Sequence, residues 1–391
     1  MKVVRILSLV ITGVLFFYIL STFTIPRVVD KKYNTVTLSP PYEVSVAARS
    51  LYDSLPFIAD LHCDALLWKR DLSIRHTYGH LDFPRMQEAN EALQGFTIVS
   101  KTPKNMNFNS NTGDSDNITT LFIAQGRPIT SWFNLTERAL LQCQQLKHYA
   151  IDPSNHFRVI TSAQSLSSYI IDRKSNKQLV AGFLGIEGMQ VLRGQLSNVD
   201  KLYDAGVRMM APVHFFDNRL GGSAHGIQKG GLTNFGRKVI RKMEEKHMIV
   251  DLAHASPTLI DDVLAMATQP VVVSHTGVKG TCDNIRNLSD RHLKLIAEKG
   301  GLIGIAAFQQ ADCGLEATAT AKALAYASHL VGVEHVALGS DFDGAVRTHY
   351  DITGYPLLVD ALLHEGFSHQ QIALIMGENV LSFLMNQLPS T

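Results

Sequence analysis

Short apolar runs recur along the chain, separated by stretches whose apolar residues return every three or four positions. A continuous apolar run of four to eight residues reads as a strand covered on both faces, and three-to-four spacing reads as an amphipathic helix. On this basis strands are expected over 57–62, 95–100, 180–186, 207–214, 248–254, 270–275, 301–308 and 335–341. Helices are expected over 235–246, 258–267, 289–299 and 319–331, and closing helices over 368–388. Strand and helix alternate, which predicts a parallel sheet. Eight such units predict an α/β fold of the (β/α)8 TIM barrel type. The longest interruption lies between the second and third strands. It holds an Asn-, Ser- and Asp-rich run over 105–117 and then a helix over 134–149. That run reads as a solvated loop, with a lid over the barrel mouth as the functional counterpart.

One apolar run is of a different kind. Residues 6–26, ILSLVITGVLFFYILSTFTIP, carry no charge, and a bilayer needs about 20 such residues. No small-residue cleavage pattern follows, so the run is expected to be a retained N-terminal transmembrane helix, a signal anchor over 1–26. Lys2 and Arg5 precede it, and Arg27, Lys31 and Lys32 follow. The flanking charges nearly balance, so orientation rests on the short tail staying inside. That places the rest of the chain on the extracytoplasmic side. Residues 27–45, polar and carrying Pro40 and Pro41, are expected to be a linker, and 46–391 the barrel.

Composition changes this picture little. With 46% hydrophobic and 18% charged residues the chain can bury a core. A net charge of +1 gives no electrostatic reason to expect nucleic acid as a partner. The cysteines at 63, 143, 282 and 313 form no CxxC pair, which argues against a cysteine-rich zinc site.

The candidate chemistry sits at equivalent places. The expected strands end in His62 and Asp64, Glu187, His214, His254, His275 and Asp341. A barrel gathers these ends on one face, where active sites of the fold lie. One histidine after an apolar strand is ordinarily a core residue; four of them with three carboxylates point to a site. Imidazole and carboxylate without thiolate suit a catalytic zinc centre with an open position for water. His62 and Asp64 are two apart, so on a strand both face one way and can reach one metal. The ligands suffice for two metals, and Glu187 is the candidate bridge.

The segments DLHCD, GIEG, VDLAHAS, VVVSHTGVKGTCDNIRN, ALGSDFDG and GENVL, with the spacing of His214, His254, His275 and Arg286, carry a resemblance. The chain resembles the renal (membrane) dipeptidase family, within the amidohydrolase superfamily, from about residue 55 to 385. The resemblance implies two zinc ions per chain and hydrolysis of the peptide bond of dipeptides by a metal-bridging hydroxide. It implies His62 and Asp64 as ligands of one zinc, Glu187 as the bridge, and His254 and His275 as ligands of the other. It implies His214 as oxyanion stabiliser, Arg286 as the grip on the substrate carboxylate, and Asp341 as the proton carrier. His225, in GGSAHG, is expected to be a loop residue and not a ligand. Cys63, Ser340 and Ile285 depart from the family pattern and bear on side-chain preference. Other readings of the same metal site are N-acyl amino acid deacylation, lactone opening, and a non-catalytic metal-binding protein. A homodimer is left open.

Overall fold

The computed structural model describes residues 2–391, except that within the first helix the side chains of residues 2, 3, 9–11, 14, 15 and 17 lie outside the described set. Eight parallel strands form one curled sheet. They are β1 (Ile58–Cys63), β2 (Glu91–Val99), β3 (Val180–Glu187), β4 (Val207–Ala211), β5 (Ile249–Val250), β6 (Val272–Thr276), β7 (Leu302–Ile305) and β8 (Val336–Leu338). Their order is β5-β4-β3-β2-β1-β8-β7-β6. The two ends of this path meet at a parallel bridge between Asp251 and Val272, where the Leu252 N–H donates to the Val272 carbonyl at 2.8 Å. This is the α/β architecture expected, with a curled sheet consistent with a (β/α)8 barrel.

Every strand contributes to one apolar cluster: Leu61, Leu93, Phe183, Met209, Ile249, Val272, Leu302 and Ala337. Phe383 and Leu384 of the C-terminal helix Asn379–Gln387 join it. A single cluster fed by all eight strands is the packed interior such a sheet must have. The sheet is tight enough to require glycine in places. A Cβ on Gly339, just beyond β8, would lie 1.9 Å from the Ser274 carbonyl oxygen. The expected helices appear as Asn234–Glu245, Pro257–Met266, Asp290–Glu298 and Ala317–Val331. The strand Phe157–Val159, which pairs beside β3, was not expected. At three residues it is too short to show a period.

The N-terminus differs from expectation at one point. A single helix, α1, runs from Lys2 to Tyr33 and includes Pro26. Residues 27–45 are therefore not a free linker. Val29 packs beside Leu67, Trp68 and Phe122. Asp30 is buried, and its Oδ2 lies 2.8 Å from Arg70 Nε. Thr35–Val36 then pairs in parallel with Arg347–Thr348. Composition suggested a linker because the segment is polar, but its polar side chains are spent on the barrel. Among the described residues no helix is long and apolar enough to cross a membrane. The expected anchor over 6–26 falls partly on side chains outside the described set.

Candidate functional site

The strand ends open into a cavity of about 870 Å3 whose wall includes Asp64, Glu187, His214, His254, Arg286 and Asp341. His62 and His275 are buried against the same group, their rings 3.8 Å apart. All eight site residues expected from sequence are thus brought together. Glu187, at the end of β3, is the hub. Its Oε1 lies 2.9 Å from His254 Nε2, 3.5 Å from His275 Nε2 and 3.7 Å from His62 Nε2. Its Oε2 lies 3.3 Å from His214 Nε2. His62 Nε2 is also 3.6 Å from Asp64 Oδ1 and 3.8 Å from Asp341 Oδ1.

A relay behind the histidines determines which nitrogen faces this group. Ser274 Oγ donates its one proton to Asp251 Oδ2 at 2.6 Å. It can then only accept from His62 Nδ1 at 2.9 Å and His275 Nδ1 at 3.1 Å. Both rings therefore carry their proton on Nδ1 and turn a bare Nε2 towards Glu187. Neither Ser274 nor Asp251 was singled out from sequence. The signal available was a polar residue within each of the apolar runs VVVSH and VDLAH. Asp64 is held in turn by Thr97, whose hydroxyl donates to Oδ1 at 2.7 Å.

Burial sets the charge states. It pushes the four imidazoles well below their ordinary range, with the Arg286 charge adding to the effect at His62, His214, His254 and His275. It pushes Glu187 and Asp341 well up, Asp64 adding its repulsion at both, and Asp64 itself up to about 7. Burial thus disfavours the charged form of each of these groups in the absence of a bound ion. Two site residues sit on left-handed backbone, His254 at φ 61° and Asp341 at φ 62°. Non-glycine residues rarely adopt this region, and functional sites collect such cases.

Arg286 is fixed by the loop after β6. Its Nη2 donates to the His275 carbonyl at 2.6 Å, and its backbone N–H donates to Asn284 Oδ1 at 2.9 Å. A disulfide between Cys282 and Cys313 ties this loop to the segment after β7. Asn284 and Asn287 reinforce the tie by donating to the Gln310 and Ala311 carbonyls, each at 2.7 Å.

His225 is a loop residue outside every potential ligand group, yet it is fully buried in the cavity wall. Its ring lies 5.2 Å from that of His254, and its Nδ1 bonds the Phe108 carbonyl. Burial pushes it down to about 3. The interruption after β2 also reaches the site: Met106, Asn107, Phe108, Ile118 and Leu121 line the cavity.

The family model described as "Membrane dipeptidase (Peptidase family M19)" matches residues 46–387. The chain belongs to the membrane dipeptidase family. It is accordingly a metal-dependent peptide hydrolase by descent. Dipeptidase aclJ of Aspergillus oryzae is 27% identical over 349 residues, covering 84% of this chain and 77% of its own length. Dipeptidase 3 of Mus musculus is 28% identical over 235 residues, covering 57% of this chain and 46% of its own length. The match thus spans under half of that mouse relative. A metallo peptidase from Rhodobacter sphaeroides, solved with a phosphinate mimic of the dipeptide L-Ala-D-Ala, shares the fold. It superposes with a TM-score of 0.66 at 22% identity, covering 85% of this chain and 99% of that one.

Membrane dipeptidases need a metal, and the donors here fit one. Zinc bonds of about 2.0–2.1 Å put neighbouring tetrahedral donors about 3.3–3.5 Å apart. The spacings about Glu187, from 2.9 to 3.7 Å, bracket that value. His254 Nε2 lies 3.0 Å from His275 Nε2 and 2.9 Å from Glu187 Oε1, so the two imidazoles and the carboxylate can turn to one ion. The buried His62 Nε2 has no hydrogen-bond partner among the described residues. Potential triads are His62–Glu187–His275, Glu187–His214–His254 and His62–Asp64–Asp341.

Proposed function

We propose that the chain is a two-zinc dipeptidase that cleaves the peptide bond of a free dipeptide at the mouth of its barrel. The observation that carries this reading is Glu187. One buried carboxylate stands within 3.7 Å of the Nε2 atoms of His62, His214, His254 and His275, in a cavity that also holds Arg286. His62 and Asp64 would hold one zinc, His254 and His275 the other, with Glu187 shared. When bound, two such metals supply Lewis-acid activation of water and of the scissile carbonyl at neutral pH.

The chain's own residues account for the rest. Arg286 receives the substrate's terminal carboxylate with its planar fork. That contact places the scissile bond one residue from the free C-terminus. His214, neutral through burial, donates a hydrogen bond to the oxygen that becomes negative in the transition state. Asp341 accepts a proton from the attacking water and returns it to the leaving amine.

Two measurements test the metal assignment. Elemental analysis of the purified protein should give about two zinc equivalents per chain. The double change His254→Ala, His275→Ala should remove chiefly one, and His214→Ala should keep both. A well-folded preparation that takes up no divalent metal would sink the reading. N-acyl amino acid deacylation has one observation in its favour, the apolar wall formed by Ile25, Val29, Leu121 and Phe108. Rates on free dipeptides and on N-acyl amino acids, compared side by side, decide between them.

We also infer a membrane-bound location with the catalytic part on the extracytoplasmic side. The support is the uncharged run over 6–26 within α1, its exposed Ile6, Leu7, Phe16, Ile19, Leu20 and Phe23, and the disulfide, which favours an oxidising compartment. Full-length protein should pellet with membranes and resist extraction by salt. A mature N-terminus found beyond residue 26 would instead mark a cleaved segment.

A further inference from the structure

The loop that follows β8, residues 340–345, carries Asp341 and is under unusual backbone demand. Asp341, Asp343 and Ala345 all adopt left-handed φ, at 62°, 62° and 59°. Each such non-glycine residue costs on the order of 1 kcal/mol, so the loop keeps this shape only if its surroundings impose it. Part of the restraint comes from the barrel. The Asp343 N–H donates to His80 Nδ1, and the His80 N–H donates to Asp343 Oδ1, both at 2.8 Å. Trp68 Nε1 donates to the Asp343 carbonyl at 2.6 Å.

The remainder comes from the last turns of α1. Asp30 pairs with Arg70 at 2.8 Å, and Arg70 Nη2 pairs with Asp343 Oδ2 at 2.5 Å. All three side chains are almost wholly buried, at 2% exposure or less. Asn34 donates from Nδ2 to Asp30 Oδ1 at 2.8 Å and accepts from the Ala345 N–H at 3.0 Å. Helix end and loop are thus joined at two points, Asp343 and Ala345, on either side of Gly344. Paired parallel strands, Thr35–Val36 with Arg347–Thr348, continue the junction. The family model matches from residue 46 onward, so these helix residues lie outside the stretch that it covers.

We propose that Asp30 and Asn34, at the C-terminal end of the N-terminal helix, are positioning residues that hold the Asp341 loop in its working shape. The expected effect on turnover rests on the reading of Asp341 as proton carrier; the effect on the loop does not. Asp30 acts through Arg70 on the Asp343 side chain. Asn34 acts directly on the backbone of Ala345. Neither can touch a substrate from where it stands, so the loss on removing either should fall on kcat and not on KM.

The test uses the full-length protein in detergent, with Asp30→Asn and Asn34→Ala. Hydrogen exchange should quicken at least about tenfold in residues 340–349 of both variants, with the barrel strands unchanged. Turnover of a free dipeptide should fall about 10- to 100-fold, the range for residues that orient a metal site's working groups, with KM within about threefold of wild type. If Asp30→Asn does not fold, Asn34→Ala decides alone, since it removes one uncharged side-chain amide and leaves the Asp30–Arg70–Asp343 ion pairs in place. Unchanged exchange in residues 340–349 overturns the proposal, and so does quickened exchange with wild-type kcat. A wild type that cleaves no dipeptide defeats the functional reading instead, while the exchange comparison still decides whether the helix holds the loop.

Discussion

Glu187→Gln should lower kcat/KM for a free dipeptide by at least about a thousandfold, or about 4 kcal/mol. It should also cut the zinc content below two equivalents. The reason is the position of Glu187. Among the described residues it is the one carboxylate within 4 Å of His62, His254 and His275 together, so both proposed metals depend on its charge. Glutamine keeps the shape and one oxygen but carries no charge, and an amide cannot offer an anionic oxygen to each of two cations. The loss should not be a folding defect. In the metal-free chain Glu187 is a buried acid whose charged form is opposed by burial and by Asp64 and Asp341. Replacing it by a neutral isostere removes that opposition, so metal-free variant and metal-free wild type should melt at similar temperatures. With zinc added, only the wild type should gain stability by ligand linkage. A variant within tenfold of wild-type activity would remove Glu187 from the centre of the mechanism.

The strand ends were legible because the residues there break a rule. In an apolar strand a terminal His or carboxylate has no packing reason to be present, and equivalent breaks at the ends of β1, β3, β6 and β8 and in the runs after β4 and β5 point to one face. What supports those residues was not legible. The Ser274 hydroxyl serves His62, 212 positions away, and no local pattern encodes that distance. Ser274 and Asp251 look like ordinary polar residues until the sheet curls β5 and β6 together. The span of β5 was overread for a related reason. The apolar run over 248–254 suggested a long strand, but the ladder ends at Val250, and His254 turns out on left-handed backbone.

The N-terminal segment shows the same limit from the other side. Its composition reads as anchor and then linker, both of which are local properties. Its contacts are the opposite: Asn34 meets Ala345 across 311 positions, and Thr37 meets Thr348 across the same separation. A polar stretch that satisfies buried partners cannot be told from a solvated one by its residues alone. The cavity wall repeats the point. His225 lies in a glycine-rich loop, but Phe215, Phe108 and His254 surround it.

The proposed grip of Arg286 on the substrate carboxylate carries the second large effect. Arg286→Ala should leave both zinc ions in place, because arginine is not a ligand. It should cut kcat/KM for a free dipeptide about 30- to 150-fold, the 2–3 kcal/mol of a charge-assisted contact to a buried guanidinium. The geometry argues for a contact of that strength. The guanidinium is buried, one arm is anchored on the His275 carbonyl at 2.6 Å, and the loop around it is tied down by the Cys282–Cys313 bridge. An anchored fork loses little freedom on binding a carboxylate, so most of the interaction is available to the substrate. Arg286→Lys should restore only part of the rate, since an ammonium can neither hold the His275 carbonyl and a carboxylate in one plane nor reach as far. The same dipeptide with its C-terminus amidated should already be poor for the wild type. It should lose little more in Arg286→Ala, because the partner is then missing on both sides, and this non-additivity is the signature of a direct contact. An amide cleaved as well as the free acid would mean that the carboxylate is not read. The apolar cavity wall would then make N-acyl amino acids or another amide the substrate to pursue.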